Sequence, residues 1–354
     1  MSHTVANSLT SRKSVTVTTG ARLHFGLLTH RPQSGREFGG LGVMVNSPGW
    51  EIRASIDNNV TALAGDSTEQ VSVAVSDAAA VACPEAAQRV RRTIEHYSRS
   101  MPGIRPALSG ISVSVDRAIP GHRGLGSGTQ LGLAIGKAIS VLTEDQAIKA
   151  DRIAERTGRG LRSAVGTWGF ESGGLIVDGG KLPDQSVGTC VSRIEFPSQW
   201  RFLLIAPVAG CGLSGADEVA AFERLAGMSV ERSERLCRLA MMELLPAIVD
   251  ADIAAASVAL TEYGRISGEY FSSVQGGVFA DDRMTDVART VTQRGRGFFQ
   301  TSWGPTCAAL CRDDDEITEL QADLQRQANG SLILSVAHPL NHGATVTVSE
   351  DNAG

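Results

Sequence analysis

Apolar residues alternate with polar or β-branched ones at 14–19 (SVTVTT), 50–56 (WEIRASI), 71–75 (VSVAV) and 111–117 (ISVSVDR). That period of two predicts half-buried strands. The period then changes: Leu131, Ile135, Ala138, Ile139 and Leu142 recur at helical spacing, directly behind the run GHRGLGSGTQLGLAIG at 121–136. A glycine-rich turn therefore opens a helix. Two more helices are predicted near 85–99 and 145–157, the second ending at Gly158, and a short strand GLIVD spans 174–178 before Gly179 and Gly180. After about residue 185 the pattern restarts with a strand at 202–206 and helical stretches near 215–226, 231–245 and 249–263. Helices at 283–294 and 315–328 follow, among extended segments at 305–311, 331–336 and 342–348. Strands grouped ahead of helices predict an α+β fold with a largely antiparallel sheet. Loops marked by Pro183 and Pro197 place a boundary between a unit at 1–185 and a second at 186–354.

The chain of 354 residues is long enough for two units with their own cores. Its 39 glycines cluster at 35–42, 121–136, 158–180 and 210–215, which marks special backbone geometry at discrete places. With a net charge of −5 and no basic run, nucleic acid is not an expected partner. The first residues, MSHTVANSLTSRKS, are polar, and no apolar run approaches the roughly 18 residues of a spanning helix, so neither a leader nor a membrane segment is expected. The six cysteines, at 83, 190, 211, 237, 307 and 311, have no C-x-x-C spacing and read as free thiols of a cytoplasmic protein. His338 and His342 are four apart, but Pro339 takes His338 out of helical geometry, so no metal pair is expected there.

The glycine loop carries the first chemical implication. Gly124, Gly126 and Gly128 alternate, with Ser127, Thr129 and Gln130 among them, at the start of a helix. Unpaired N–H groups and the positive end of the helix dipole favour an anion there, and phosphate above all. Two better-known phosphate loops do not fit. The third glycine comes one residue too early for G-x-G-x-x-G, and the segment Gly132–Lys137 is too short for G-x-x-x-x-G-K-[ST], with Ala138 replacing the hydroxyl.

Three segments in order, ARLHFGLL (21–28), Pro120 with GLGSGTQ (124–130), and QTSWGPTCAAL (300–310), resemble the three motifs of the GHMP kinase superfamily of galactokinase, homoserine kinase, mevalonate kinase and phosphomevalonate kinase. The resemblance implies an N-terminal α+β domain holding the phosphate loop and a C-terminal ferredoxin-like α+β domain. One departure is informative. Kinases of this group carry an aspartate in a segment resembling G-x-x-S-G-x-D, where this chain has Ala164, Val165 and Gly166. A kinase so altered lacks the acceptor for its substrate's hydroxyl proton. Together with GREFGGLGVMV (35–45), GTWGFESGGLIVDGG (166–180) and PVAGCGLSGADE (207–218), these segments are similar to the β-ribofuranosylaminobenzene 5′-phosphate synthase family. That resemblance implies joining phosphoribosyl diphosphate to 4-aminobenzoate or 4-hydroxybenzoate, with loss of CO2 and diphosphate, in tetrahydromethanopterin biosynthesis. It also implies Mg2+ as cofactor and, as a family-level expectation, a homodimer. The competing expectations are an ATP-dependent small-molecule kinase and an inactive metabolite-binding relative.

Candidate residues follow from that chemistry. Arg22 and His24 are two apart on one strand and so share a face, which makes them catalytic candidates. Glu171, beside Trp168 and Phe170, is a candidate carboxylate for a cationic transition state next to an aromatic pocket. Gly124, Gly126, Ser127, Gly128, Thr129 and Gln130 form the expected phosphate loop, bordered by Arg123. Arg36 lies in a glycine-bordered loop, and Arg159 and Arg162 flank the missing aspartate, where a phosphate or a benzoate carboxylate would suit a guanidinium. Trp303 closes the site from the second domain, while Asp217 and Glu218 read as the first turn of a helix capped by Ser214. No residue stands out as a metal ligand.

Overall fold

Two long strands, β1 (Arg12–Leu27) and β2 (Gly40–Ile56), absorb two of the four period-two segments, 14–19 and 50–56, and anchor the first sheet. The structure, a computed structural model, describes residues 12–33, 35–56, 71–108, 110–143, 147–210, 212 and 215–351. The other strands are β3 (Ser72–Val75), β4 (Ile111–Arg117), β5 (Leu175–Asp178), β6 (Cys190–Ile194), β7 (Arg201–Pro207), β8 (Gly297–Gln300), β9 (Cys307–Cys311), β10 (Leu332–Ala337) and β11 (Thr345–Asp351). The first sheet runs β11-β1-β2-β4-β3, with β5 also on β2 and β6 on β5. Among the described residues only β3 and β4 pair in parallel in that sheet; its other pairings are antiparallel.

The second sheet is antiparallel, in the order β10-β7-β9-β8. Taken in chain order its strands lie fourth, first, third, second, with helices after the first and third. This is the ferredoxin-like arrangement. The expected split at 185/186 does not follow the sheets. Strands β6 and β11 both lie beyond residue 185 yet complete the first sheet. The reason is an open edge: β11 covers the outer side of β1 from Arg12↔Asp351 to Thr18↔Thr345, pairing backbone groups that a bare edge would leave unmet.

Helix Ser127–Leu142 packs on β1 and β2 through the periodic residues Leu131, Ile135, Ala138 and Ile139, all buried. A helix at Val165–Ser172 was not expected from the pattern, because its glycines read as loop. Gly169 is instead a contact point: a Cβ there would stand 2.5 Å from Met44 Sδ on β2. The stretch expected at 249–263 is a longer helix, Ile253–Gln275, whose N-cap Asp252 accepts from Ala254 N and Ala255 N. The expected cap at Ser214 lies outside the described residues. Among the described residues no helix is long and apolar enough to cross a membrane.

Candidate functional site

The glycine loop opens onto a cavity of about 490 Å³ where the two sheets' halves meet. Gly124 (φ +75°) and Gly126 (φ +72°) occupy the left-handed region, which turns the chain sharply into helix Ser127–Leu142. Gly126 is the N-cap and no side chain caps this end, so the first-turn N–H groups stay available to an anion. Gly128 makes room for a cation: Arg159 Nη1 would stand 3.3 Å from a Cβ at that position.

Not every member of the loop faces the ligand. Ser127 Oγ is buried and donates to Ile119 O (3.0 Å). Gln130 is wholly buried; its Oε1 accepts from Thr19 Oγ1 (2.8 Å) and its Nε2 donates to Gly166 O (2.8 Å). Gln130 is therefore corrected from a ligand contact to a support of the loop, whereas Ser127 still lines the cavity and only its hydroxyl is engaged elsewhere. Thr129 borders the cavity.

Among the described residues six arginines line the cavity: Arg22, Arg89, Arg92, Arg123, Arg159 and Arg162. Arg22 Nη1 donates to Gly124 O (2.9 Å), and Arg123 Nη1 ties the loop to β7 through Pro207 O (2.7 Å). Arg89 and Arg92 escaped the sequence reading. They sit three apart on helix Ala86–Ser100, in a basic run that reads as an exposed face until the helix is seen against the glycine loop. Glu85 was missed as well, and it is the one carboxylate lining the cavity among the described residues. Its Oε1 is shut from solvent without a hydrogen-bond partner, 3.4 Å from His122 Nε2 and 3.7 Å from Arg89 Nη1.

The opposite wall is aromatic. Trp303 is buried and packs against Phe222 (4.9 Å between ring centroids) and Phe271 (4.7 Å), and Arg162 lies over the Phe222 ring at 4.5 Å. The late glycine segment is docked on β1: Thr301 Oγ1 accepts from His24 N (2.9 Å) and donates to Gly124 O (2.9 Å), and Ser302 N donates to His24 O (3.1 Å). Irregular register between Gly20 and Ala21 and between His24 and Gly26 brackets Arg22 and His24, as bulges near sites do. Both side chains reach the cavity. His24 is 4% exposed, and its Nε2 lies 2.9 Å from Ser163 Oγ. Burial, and secondarily the Arg22 charge, hold its pKa well below the ordinary 6.5, so the ring is neutral.

Two candidates are elsewhere. Arg36 Nη1 donates to Gly180 O (3.0 Å), Gln185 Oε1 (2.9 Å) and Thr189 Oγ1 (3.0 Å), stapling its loop outside the cavity. Glu171 is exposed, and its Oε2 accepts from Ala150 N (2.8 Å) at the start of helix Ala150–Arg156. Helix Val165–Ser172 turns it away from the cavity, while Trp168 Nε1 donates to Gly188 O (2.8 Å). Glu171→Ala is accordingly expected to cost about 1 kcal/mol of stability through the lost helix cap and to leave kcat unaltered. Urea unfolding beside steady-state kinetics checks this, and a large fall in kcat with stability intact would return Glu171 to the site.

Residues 86–169 match the family described as the GHMP kinases N terminal domain. The chain is 28% identical over 308 residues to beta-ribofuranosylphenol 5′-phosphate synthase of Methanothermobacter thermautotrophicus, spanning 82% of this chain and 86% of that one. It is 30% identical over 247 residues to the protein of the same name from Archaeoglobus fulgidus, spanning 66% of this chain and 70% of that one. Among solved structures, homoserine kinase from Cytophaga hutchinsonii superposes with a TM-score of 0.63 at 14% identity, over 98% of this chain and 100% of that one. Mevalonate diphosphate decarboxylase from Staphylococcus aureus superposes with a TM-score of 0.63 at 12% identity, over 95% and 98%. The fold is that of the GHMP kinases.

Proposed function

The chain belongs to the β-ribofuranosylphenol 5′-phosphate synthase family, and from that premise we propose that it joins phosphoribosyl diphosphate to a 4-substituted benzoate, releasing CO2 and diphosphate. One observation carries the reading: a single cavity has a polyanion end, built from the glycine loop and arginines, and an aromatic end closed by Trp303. The relatives' name points to the phenol and thus to 4-hydroxybenzoate, with 4-aminobenzoate as the alternative.

The geometry supports the following division of work. First-turn N–H groups of helix Ser127–Leu142 with Arg22, Arg89, Arg92 and Arg159 hold the phosphates, where oriented donors and guanidinium groups are strongest. The ring stacks on the wall of Phe222, Phe271 and Trp303, and Arg162 faces its carboxylate. The ring carbon bearing the carboxylate forms a bond to the anomeric carbon as the anomeric C–O bond breaks, and diphosphate leaves with that electron pair. The C–CO2 bond then breaks, and its pair restores the aromatic ring. Positive charge developing at the sugar is stabilised by a carboxylate, a role that passes from Glu171 to Glu85.

Among the described residues no group of three His, Cys, Asp or Glu is arranged to hold a metal. Mg2+ needs no such cage, since one or two carboxylates with substrate phosphates suffice. Glu85 at the phosphate end, whose Oε1 is shut from solvent and makes no hydrogen bond, fits that requirement. Bound there with the diphosphate, the ion would neutralise charge on the leaving group.

Incubation with Mg2+, phosphoribosyl diphosphate and carboxyl-labelled 4-hydroxybenzoate or 4-aminobenzoate is expected to release labelled CO2 together with diphosphate. No CO2 from either benzoate, alongside ATP-dependent phosphorylation of a small alcohol, would overturn the reading. Against the kinase stands the backbone itself: Ala164 occupies the expected aspartate's stretch and donates its N–H to Asp178 Oδ2 (2.7 Å).

A further inference from the structure

Behind His24 lies a buried chain of hydrogen bonds that the reaction above does not use. His24 Nε2 is 2.9 Å from Ser163 Oγ, and Ser163 Oγ is 3.3 Å from Asp178 Oδ2. Asp178, the last residue of β5, is wholly buried. Its Oδ2 also accepts from Ala164 N (2.7 Å), and its Oδ1 accepts from Gly180 N (2.9 Å). Those N–H groups can only donate, so both Asp178 oxygens act as acceptors toward them, which favours the carboxylate form. Val165 N donates to Ser163 Oγ as well (3.3 Å).

The proton count follows from the hydroxyl. Serine has one O–H to give and two lone pairs to fill. The carboxylate takes the proton, and Val165 N–H takes one lone pair. The remaining lone pair faces His24, so Nε2 must be the donor and carry the ring hydrogen. No group among the described residues hydrogen-bonds Nδ1, and the ring borders the cavity.

We propose that Ser163 and Asp178 are positioning residues, fixing His24 as the Nε2–H tautomer so that the Nδ1 lone pair accepts the proton of the aromatic acceptor's para substituent. This second part rests on the reaction proposed above. The para O–H (or N–H) bond breaks and its proton goes to Nδ1, and the freed pair pushes through the ring to the carbon para to it, which bonds the anomeric carbon. After CO2 leaves, the para oxygen (or nitrogen) takes the proton back from Nδ1. No proton is gained or lost overall, and no other reactant is needed.

Burial is the largest influence and raises the Asp178 carboxyl pKa above its ordinary value, while the N–H bonds from Ala164 and Gly180, the Ser163 hydroxyl and the Arg36 charge oppose that rise. That gives Arg36 a purpose outside the cavity. The charged groups facing His24 are Arg22 from its own strand, which lowers its pKa, and Asp178 through Ser163 from β5; Arg159 and Arg162, from the loop that carries Ser163, line the same cavity, and residues 300–303 bring none.

The test begins with the substrate-free protein. In the full chain labelled with 15N-histidine, and with the His24 signals assigned through His24→Asn, the ring is expected to show protonated Nε2 and unprotonated Nδ1. An Nδ1–H tautomer would overturn the proposal. Asp178→Asn lets the side chain donate to Ser163, which turns the hydroxyl toward His24. The tautomer is then expected to move toward Nδ1–H, with kcat falling roughly tenfold or more and the KM for phosphoribosyl diphosphate shifting much less. Ser163→Ala cuts the chain without disturbing the N–H groups that hold Asp178 and is expected to lower kcat similarly, so it decides the matter if Asp178→Asn does not fold. A folded variant with the wild-type tautomer and kcat would show the chain to be structural only. Absence of turnover in the wild type counts against the reaction, and the tautomer still decides the relay.

Discussion

Gly126→Val is expected to weaken the binding of phosphoribosyl diphosphate about a hundredfold while leaving benzoate binding within about twofold of wild type. Gly126 caps the phosphate-loop helix at φ +72°, where a β-branched residue is a genuine outlier. Holding valine there costs on the order of 1–3 kcal/mol, so the loop relaxes and its N–H groups no longer converge. The added Cβ would also stand 2.7 Å from Arg22 Cγ, displacing a cation of the same site and its bond to Gly124 O. The aromatic wall comes from Phe222, Phe271 and Trp303 and is not touched by the change. Calorimetry on the folded variant gives the result directly. An unchanged affinity for phosphoribosyl diphosphate would mean that the glycines serve helix packing alone.

Arg22→Ala is expected to lower kcat/KM roughly ten- to a hundredfold, the consequence of losing one charge-assisted hydrogen bond of about 1.5–3 kcal/mol. Its second effect is on pH dependence. Burial is the larger cause of the depressed His24 pKa, and the Arg22 charge is the smaller. Removing the charge raises that pKa partway toward the ordinary 6.5. A base must be neutral to accept a proton, so activity falls as pH drops through the His24 pKa. With the pKa raised, the loss begins at a higher pH, and the acid limb of the kcat/KM profile moves up. Burial remains, so the limb stops short of the position of an exposed histidine. An acid limb that does not move, or moves down, would show that His24 is not the titrating group.

What the amino-acid order determined unaided was local. The glycines at 124 and 126 and the helical run from Leu131 to Leu142 specify a capped helix start over a few residues, with no help from elsewhere in the chain. The shared face of Arg22 and His24 was legible because side chains alternate along a strand. The ferredoxin-like half was legible through resemblance, and its order of strands and helices is what the structure shows. Glu171 was misplaced because its run of glycines and aromatics reads as an irregular loop, whereas in a helix each residue turns about 100° from the last and carries this acid to the outside.

Tertiary structure decided the rest. Arg89, Arg92 and Glu85 reach the glycine loop only because helix Ala86–Ser100 packs beside helix Ser127–Leu142. Asp178 meets His24 through Ser163 only because β5 pairs with β2, beside β1. The last strand, β11, joins the first because an open edge demands partners, although more than three hundred residues separate Thr18 from Thr345. Periodicity and turn chemistry are set by neighbours within a helical turn or a strand repeat, so they can be read along the chain. Which distant charge fills a cavity depends on how buried faces dock, and that is settled by packing and by the need to pair every buried polar group.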